Sequence, residues 1–406
     1  MTNRRATPDA LPAVRYDPTT DRRPLPERAR PEDLAVYLEP TTSAQYRGGL
    51  FEAHRVNFVG DNMLAPFAAV RDRLRAAGVA VDTSDALPER ADGRRHLLIS
   101  YGSPDRLPSH STRRYRALAK RSDVILGAYF TMECPVVEPR IFRELPTLQR
   151  LFRRILTWGD STSLAPYTGR PVPVEQFCWP QPFDAVHDTL WANADRRFLV
   201  MMNANKLPRL YAEELYTARL DAVRFFHAHG EIDLYGRHWD DAPRRVGKTR
   251  TPAMLRRLAE RAWVARQRLV PDPRYAAAAA AARGPVPSKC ETLARYRFAL
   301  CFENSTIAGW VTEKLFDCLF AGTVPVYWGP AGVAEWVPPE CYVDMRRFAG
   351  FADLRAFLHA LTPRQIAEYR EAGRAFLASP RFDPFRLRAW TELHARIVLE
   401  EAGVEI

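Results

Sequence analysis

The sequence predicts an α/β chain of two βα halves, each a parallel sheet with helices on its faces. Two observations carry this. Short apolar runs of strand length alternate with amphipathic helical stretches, the pattern expected where parallel strands are joined by crossover helices. The 406 residues are also enough for two ordinary domains with ample core.

In chain order, residues 1–30 hold seven Arg, four acids and five Pro with few large apolar groups. Such a stretch buries too little surface to offset the entropy of ordering, so a basic, Pro-rich disordered arm is expected over 1–40. A first half is expected over 41–190, with strands at 56–59, 79–81, 97–101, 124–126 and 155–158. Helices are expected at 63–77, closed by Gly78, and at 113–121. The Pro-rich stretch 166–182 reads as a connection. A second half is expected over 191–380. It opens with a strand at 198–203, a long helix over 209–227 and a strand at 232–235 closed by Gly236. Residues 243–287 read as an exposed insertion containing a helix. Helices follow at 354–361 and 363–377. Leu387, Trp390, Leu393 and Ile397 share one helical face, so the tail 381–406 is expected to dock on the body.

Residues 298–330 read as strand, polar loop, helix, strand. The apolar run 298–302 gives way to Glu303, Asn304 and Ser305 where a parallel strand would end, and such ends are where open α/β sheets bind ligands. Thr312, Glu313 and Lys314 then open a helix stopped by Gly322, and 323–327 supplies β-branched strand residues.

The formal charge of +11 suits an anionic partner such as a nucleotide sugar, a nucleic acid or an acidic membrane surface. No helix-turn-helix, zinc-finger or aromatic-platform pattern accompanies it, so nucleic acid is not expected as a partner. Neither G-x-G-x-x-G nor a Walker A sequence is present, which disfavours a nicotinamide dehydrogenase or a P-loop enzyme. The six cysteines are widely spaced with no C-x-x-C pair, as in reduced core positions of an intracellular protein. With no apolar run of membrane-span length and no signal-peptide core, a cytoplasmic protein is expected, with peripheral association at the inner face of a membrane through basic surface left open.

The FENS loop, the Val-Thr-Glu-Lys that follows Trp310 and the later VPVYWG closely resemble the donor-binding signature of glycosyltransferase family 10, the α1,3/4-fucosyltransferases. Weaker similarity runs from about Leu98 to Leu361. The resemblance implies two Rossmann-like domains facing a cleft (the GT-B type). It also implies an inverting transfer of L-fucose from GDP-fucose to a glycan or glycoconjugate hydroxyl. Lacking the N-terminal anchor of Golgi relatives, the chain resembles a bacterial-type member. Another nucleotide sugar, a non-glycan acceptor, or a catalytically silent nucleotide- or glycan-binding protein are the alternatives.

Sugar transfer from a nucleotide diphosphate needs charge stabilisation for the departing diphosphate, recognition of donor hydroxyls and a base for the acceptor. No D-x-D pair is present to hold a metal on the diphosphate, so cations and backbone N–H groups are expected to do that work, with no metal or other cofactor. Lys314 combines its charge with a helix N-terminus. Arg209 is the second cation in this reading because a guanidinium forks onto two oxygens, with Lys206 competing for the role. Glu313, repelled by a diphosphate, is assigned to ribose or sugar hydroxyls, as the matching motif glutamate implies. Asn304, Ser305 and Thr312 orient the loop or cap the helix. Trp310 replaces the tyrosine usual in the family's donor pocket. Glu133, in a Glu-Cys-Pro segment after the strand at 124–126, matches the family's catalytic base. Glu138 competes with it, and Asp160 and His238 are further titratable candidates.

Overall fold

The computed structural model describes residues 27–53, 60–102, 108–209, 212–241, 243–247, 253–270 and 272–406. The strand expected at 56–59 and residues 1–26 of the expected arm lie outside them.

The first half is a sheet of six strands: β1 (Leu34–Glu39), β2 (Ala80–Thr83), β3 (Arg95–Ser100), β4 (Val124–Phe130), β5 (Arg154–Thr157) and β6 (Glu175–Gln176). The order is β2-β1-β3-β4-β5-β6, and every pair is parallel. The second half holds β7 (Arg197–Met202), β9 (Ile232–Tyr235), β11 (Tyr296–Phe302), β12 (Val324–Trp328) and β13 (Val343–Asp344) in the order β13-β12-β11-β7-β9, again all parallel. Between them in sequence, β8 (Lys206–Pro208) and β10 (Arg244–Val246) form a two-stranded parallel ribbon. Two sheets of this kind, built from βα units and facing a shared cleft, make the doubly wound architecture predicted from the sequence.

Two expectations are corrected. The arm was placed over 1–40, but Leu34–Glu39 is a fully buried strand between β2 and β3. The run Leu-Ala-Val-Tyr-Leu-Glu has strand propensity of its own, and its apolar side chains fill both faces of the sheet. The long helix expected from 209 starts at Tyr216 and ends at Ala228. Pro208 closes the ribbon before it, and Glu214 accepts a 3.0 Å hydrogen bond from the Thr217 N–H at the helix start.

In each sheet the chain leaves its first strand to one side and returns on the other. The switch points therefore lie between β1 and β3 and between β7 and β11. The first is filled by protein: Glu39, 2% exposed, accepts hydrogen bonds from Ser100 (2.8 Å), Tyr115 and Arg114. The second opens onto the cleft between the halves.

The helix Leu387–Ala402 crosses back and packs on the first sheet, where Trp390, Ile397, Val398 and Ala402 join the core made by β1 and β3. His394, wholly buried on it, donates from Nδ1 to the Trp390 carbonyl (2.8 Å), so its Nε2 accepts from the Tyr101 hydroxyl (2.8 Å). Burial lowers its pKa to about 4 and keeps it neutral. All six cysteines are unpaired, five of them buried. No helix among the described residues is long and apolar enough to cross a membrane.

Candidate active site

A single cleft, open to solvent, is lined by both halves. One wall grows from the end of β11. Glu303 has no solvent exposure, and its N–H bonds the Trp328 carbonyl at 2.7 Å, extending the pairing with β12. Its carboxylate accepts from the Thr312 N–H (2.8 Å), the Thr312 hydroxyl (2.9 and 3.0 Å) and the Lys314 ammonium (3.0 Å). One buried acid thus fixes the loop, the start of the helix Glu313–Ala321 and the lysine of its first turn. Because the Thr312 hydroxyl is held by Glu303, it does not cap that helix. The helix start keeps its affinity for an anion, and Thr312, Glu313 and Lys314 all line the cleft.

Glu313 lies between two ammonium groups, 3.7 Å from Lys314 and 3.8 Å from Lys289. Burial would raise its pKa, but the lysines outweigh it and the net shift is downward. Burial likewise pulls Lys314 down, and Glu303 and Glu313 carry it above its ordinary value. Lys289 also pairs with Asp317 at 2.6 Å. Burial pushes the Asp317 carboxyl up to about 6 despite Lys289.

The end of β7 supplies the second wall. Asn203, Ala204 and Lys206 line the cleft there, beside Gly236 and Arg237 after β9. A Cβ on Gly236 would lie 1.9 Å from the Asn203 carbonyl oxygen at a φ of +145°, so only glycine allows the two strand ends to approach. Arg219, 5% exposed on the helix Tyr216–Ala228, donates to the Phe302 carbonyl and, at 3.0 Å, to Asn304 Oδ1, fixing the amide at the cleft.

The first half contributes Asp61, Met132, Glu133 and Trp179. Glu133 follows β4 in a turn closed by Val137 and Glu138 N–H groups on the Cys134 carbonyl, at 3.0 and 2.9 Å. Its Oε2 is shut from solvent and takes no hydrogen bond. Burial raises its pKa most; Lys206 and Lys314 oppose the rise, Glu138 and Glu313 add to it, and the result is about 7. Asp61 reaches across to the other half, accepting from Ser288 Oγ (2.8 Å), Lys289 N (3.0 Å) and Cys290 N (2.9 Å) at the start of the helix Lys289–Leu293.

The structure therefore brings together Glu133, Lys206, Asn304, Trp310, Thr312, Glu313 and Lys314 around one cleft. It does not bring in Arg209, which directly follows the ribbon strand β8 and pairs with Glu260, nor Ser305, whose hydroxyl accepts from the Ile307 N–H at 3.3 Å. Trp310 packs edge-on against Trp158 and Trp179, with its indole N–H buried and unpartnered. Asp160 caps the helix Ser161–Thr168, and neither it nor His238 lines the cleft.

Residues 274–371 match the model of the C-terminal part of glycosyltransferase family 10 (fucosyltransferase). That match covers about a quarter of the chain. Among curated relatives, the α-(1,3)-fucosyltransferase FucT of Helicobacter pylori is 42% identical over 77 residues, 18% of this chain and 16% of that protein. The α-(1,3)-fucosyltransferase 7 of Homo sapiens is 37% identical over 146 residues, 33% of this chain and 43% of that protein. These matches span less than half the length of either relative. A crystal structure of an α1,3-fucosyltransferase with GDP aligns over 92% of each chain at 14% identity with a TM-score of 0.44.

The family 10 segment contains the Glu303–Thr312–Lys314 wall and the Lys289–Asp317 pair, while Lys206, Arg219, Arg237 and Glu133 lie outside it. Sequence reasoning missed Lys289, Asp317, Arg219 and Asp61. The signal for Arg219 and Asp317 is a charge among the buried positions of an otherwise apolar helix face. Five cations, Lys206, Arg219, Arg237, Lys289 and Lys314, line the cleft against the carboxylates Asp61, Glu133 and Glu313. Among the described residues no group of three or more His, Cys, Asp or Glu is placed to hold a metal ion.

Proposed function

We propose that the protein transfers L-fucose from GDP-fucose to a hydroxyl of a glycan or glycoconjugate, with inversion and with no metal requirement. The observation that carries this reading is the placement of Glu133. A carboxylate with one unpartnered oxygen and a pKa near 7 shares the cleft with the Lys314 helix start of the family 10 domain. Ionised, Glu133 takes the proton of the acceptor hydroxyl as that oxygen attacks the anomeric carbon from the face opposite the nucleotide. The bond to the diphosphate oxygen breaks as the new glycosidic bond forms, through a transition state of oxocarbenium character. Charge growing on the diphosphate meets Lys314 and the N–H groups of the first turn behind it, held in place before the reaction by Glu303, with Lys206 on the facing side of the cleft. Glu313, fixed between two lysines, is placed to accept from donor hydroxyls.

The test is a thermal-shift screen of nucleotide sugars, followed by transfer assays with the donor that stabilises the chain most. The expected result is stabilisation by GDP and GDP-fucose, transfer unaffected by EDTA, and loss of transfer in Glu133→Gln. A strict metal requirement, or a larger shift with a uridine diphosphate sugar, would overturn the reading.

A further inference from the structure

The helix Ala253–Leu269 follows the ribbon strand β10 and takes no part in either sheet. Its inner side is anchored: Glu260 pairs with Arg209, and the Arg245 guanidinium lies 5.8 Å over the half-buried ring of Trp263. Its outer side is apolar and in water. Met254 is 73% exposed, Leu255 56%, Leu258 51% and Leu269 83%, with Val270 just beyond at 70%. On a helical projection Met254, Leu258, Ala262, Ala265 and Leu269 fall on one line, with Leu255 beside it, an arc of about 100°. Exposed Arg257 and Arg261 border this stripe on one side and exposed Arg266 on the other. The helix carries five arginines and one acid, and that acid, Glu260, is turned inward.

These are nearly all of the large apolar side chains that the described residues expose; Leu399, at 38%, lies elsewhere. An apolar stripe between two arginine borders is the arrangement that lies flat in a bilayer interface, apolar side chains among the acyl chains and guanidinium groups at anionic headgroups. A second copy of the chain fits this face poorly, because a two-fold contact would set arginine borders against each other. The stripe also lacks the aromatic anchors that usually dominate a protein interface, its one tryptophan being turned inward. We propose that the outer face of the helix Ala253–Leu269 is a docking surface for an anionic phospholipid bilayer. Through the Arg209–Glu260 pair and the β8–β10 ribbon it holds the Lys206 side of the cleft near that surface. This inference is independent of which nucleotide sugar the cleft takes.

The test uses the full chain and co-sedimentation with vesicles of phosphatidylcholine alone or mixed with phosphatidylglycerol. The wild-type chain is expected to bind only the mixed vesicles, less as salt rises. Leu258→Glu should weaken that binding by about tenfold or more, and the pair Arg257→Ser and Arg261→Ser should weaken it as well. Both variants should keep the wild-type Tm and response to GDP, since none of these side chains is buried. Three results overturn the proposal: no binding of the wild type to anionic vesicles; unchanged binding of Leu258→Glu, which would assign adhesion to overall charge; or a solution dimer that Leu258→Glu dissociates, which would assign the face to a second copy.

Discussion

The Lys314 ammonium lies 3.0 Å from Glu303 Oε2, a carboxylate with no solvent exposure. Breaking such a pair leaves a buried charge uncompensated, so Glu303→Ala should cost about 3–5 kcal/mol. Lys314→Ala should raise the GDP dissociation constant at least about tenfold, a loss of ~1.4 kcal/mol or more. The double variant Glu303→Gln with Lys314→Met should recover stability relative to the single changes while leaving GDP binding lost. Thermal unfolding and calorimetric titration with GDP separate the two effects.

Glu133 acts as a base only when ionised, so with its pKa near 7 kcat/KM should fall on the acid side with a midpoint close to that value. Glu133→Gln should lose about 10²–10⁴ in kcat and the acid limb with it, while still binding GDP. The same shift bears on stability. Between the ordinary glutamate value of 4.5 and about 7 the folded chain keeps a proton that the unfolded chain has released, so this group's contribution to stability falls as pH rises through that window. Glu133→Gln should therefore unfold at a higher temperature than the wild type at pH 8 and at nearly the same temperature at pH 4.

Lys206 lines the cleft, and Arg209, three residues on, pairs with Glu260. Lys206→Ala should weaken GDP binding by several-fold or more with little change in Tm. Arg209→Ala should lower the Tm and leave GDP affinity close to wild type. The reverse pattern in a GDP titration would return the diphosphate role to Arg209.

Asp61 ties the two halves across the cleft by accepting hydrogen bonds from Ser288, Lys289 and Cys290. Removing a helix-start acceptor of this kind costs about 0.5–2 kcal/mol, the expected loss in Asp61→Ala. Because Lys289 stands beside Glu313, the variant should also raise the KM for donor more than it lowers kcat, which initial-rate kinetics at varied donor would show.

The wall after β11 was legible because it is local. Glu303, Thr312, Glu313 and Lys314 lie within one strand, loop and helix, and their spacing alone sets them side by side. Asp61 was not legible, since its partners stand more than two hundred residues away and only the folded cleft joins them. The Arg209 assignment failed for a related reason. A helix was read from Arg209 onward, whereas it starts only at Tyr216, and pairing of β8 with β10 keeps Lys206–Pro208 extended and leaves Arg209 paired with Glu260. Strand β1 was lost because its six residues adjoin an arginine- and proline-rich stretch whose composition dominated the reading.

The return of the helix Leu387–Ala402 to the first sheet has a consequence for how the chain is made. Trp390, Ile397 and Val398 complete a core whose other members are the strands and helices of the first half. A ribosome delivers those strands long before the helix that covers them. During synthesis the first half waits with an open apolar face while the second can close its own sheet, and the half bearing Glu133 is the last to become fully native. Truncation before Trp390 should accordingly disable the half that carries Glu133, although the residues removed lie far from it in sequence.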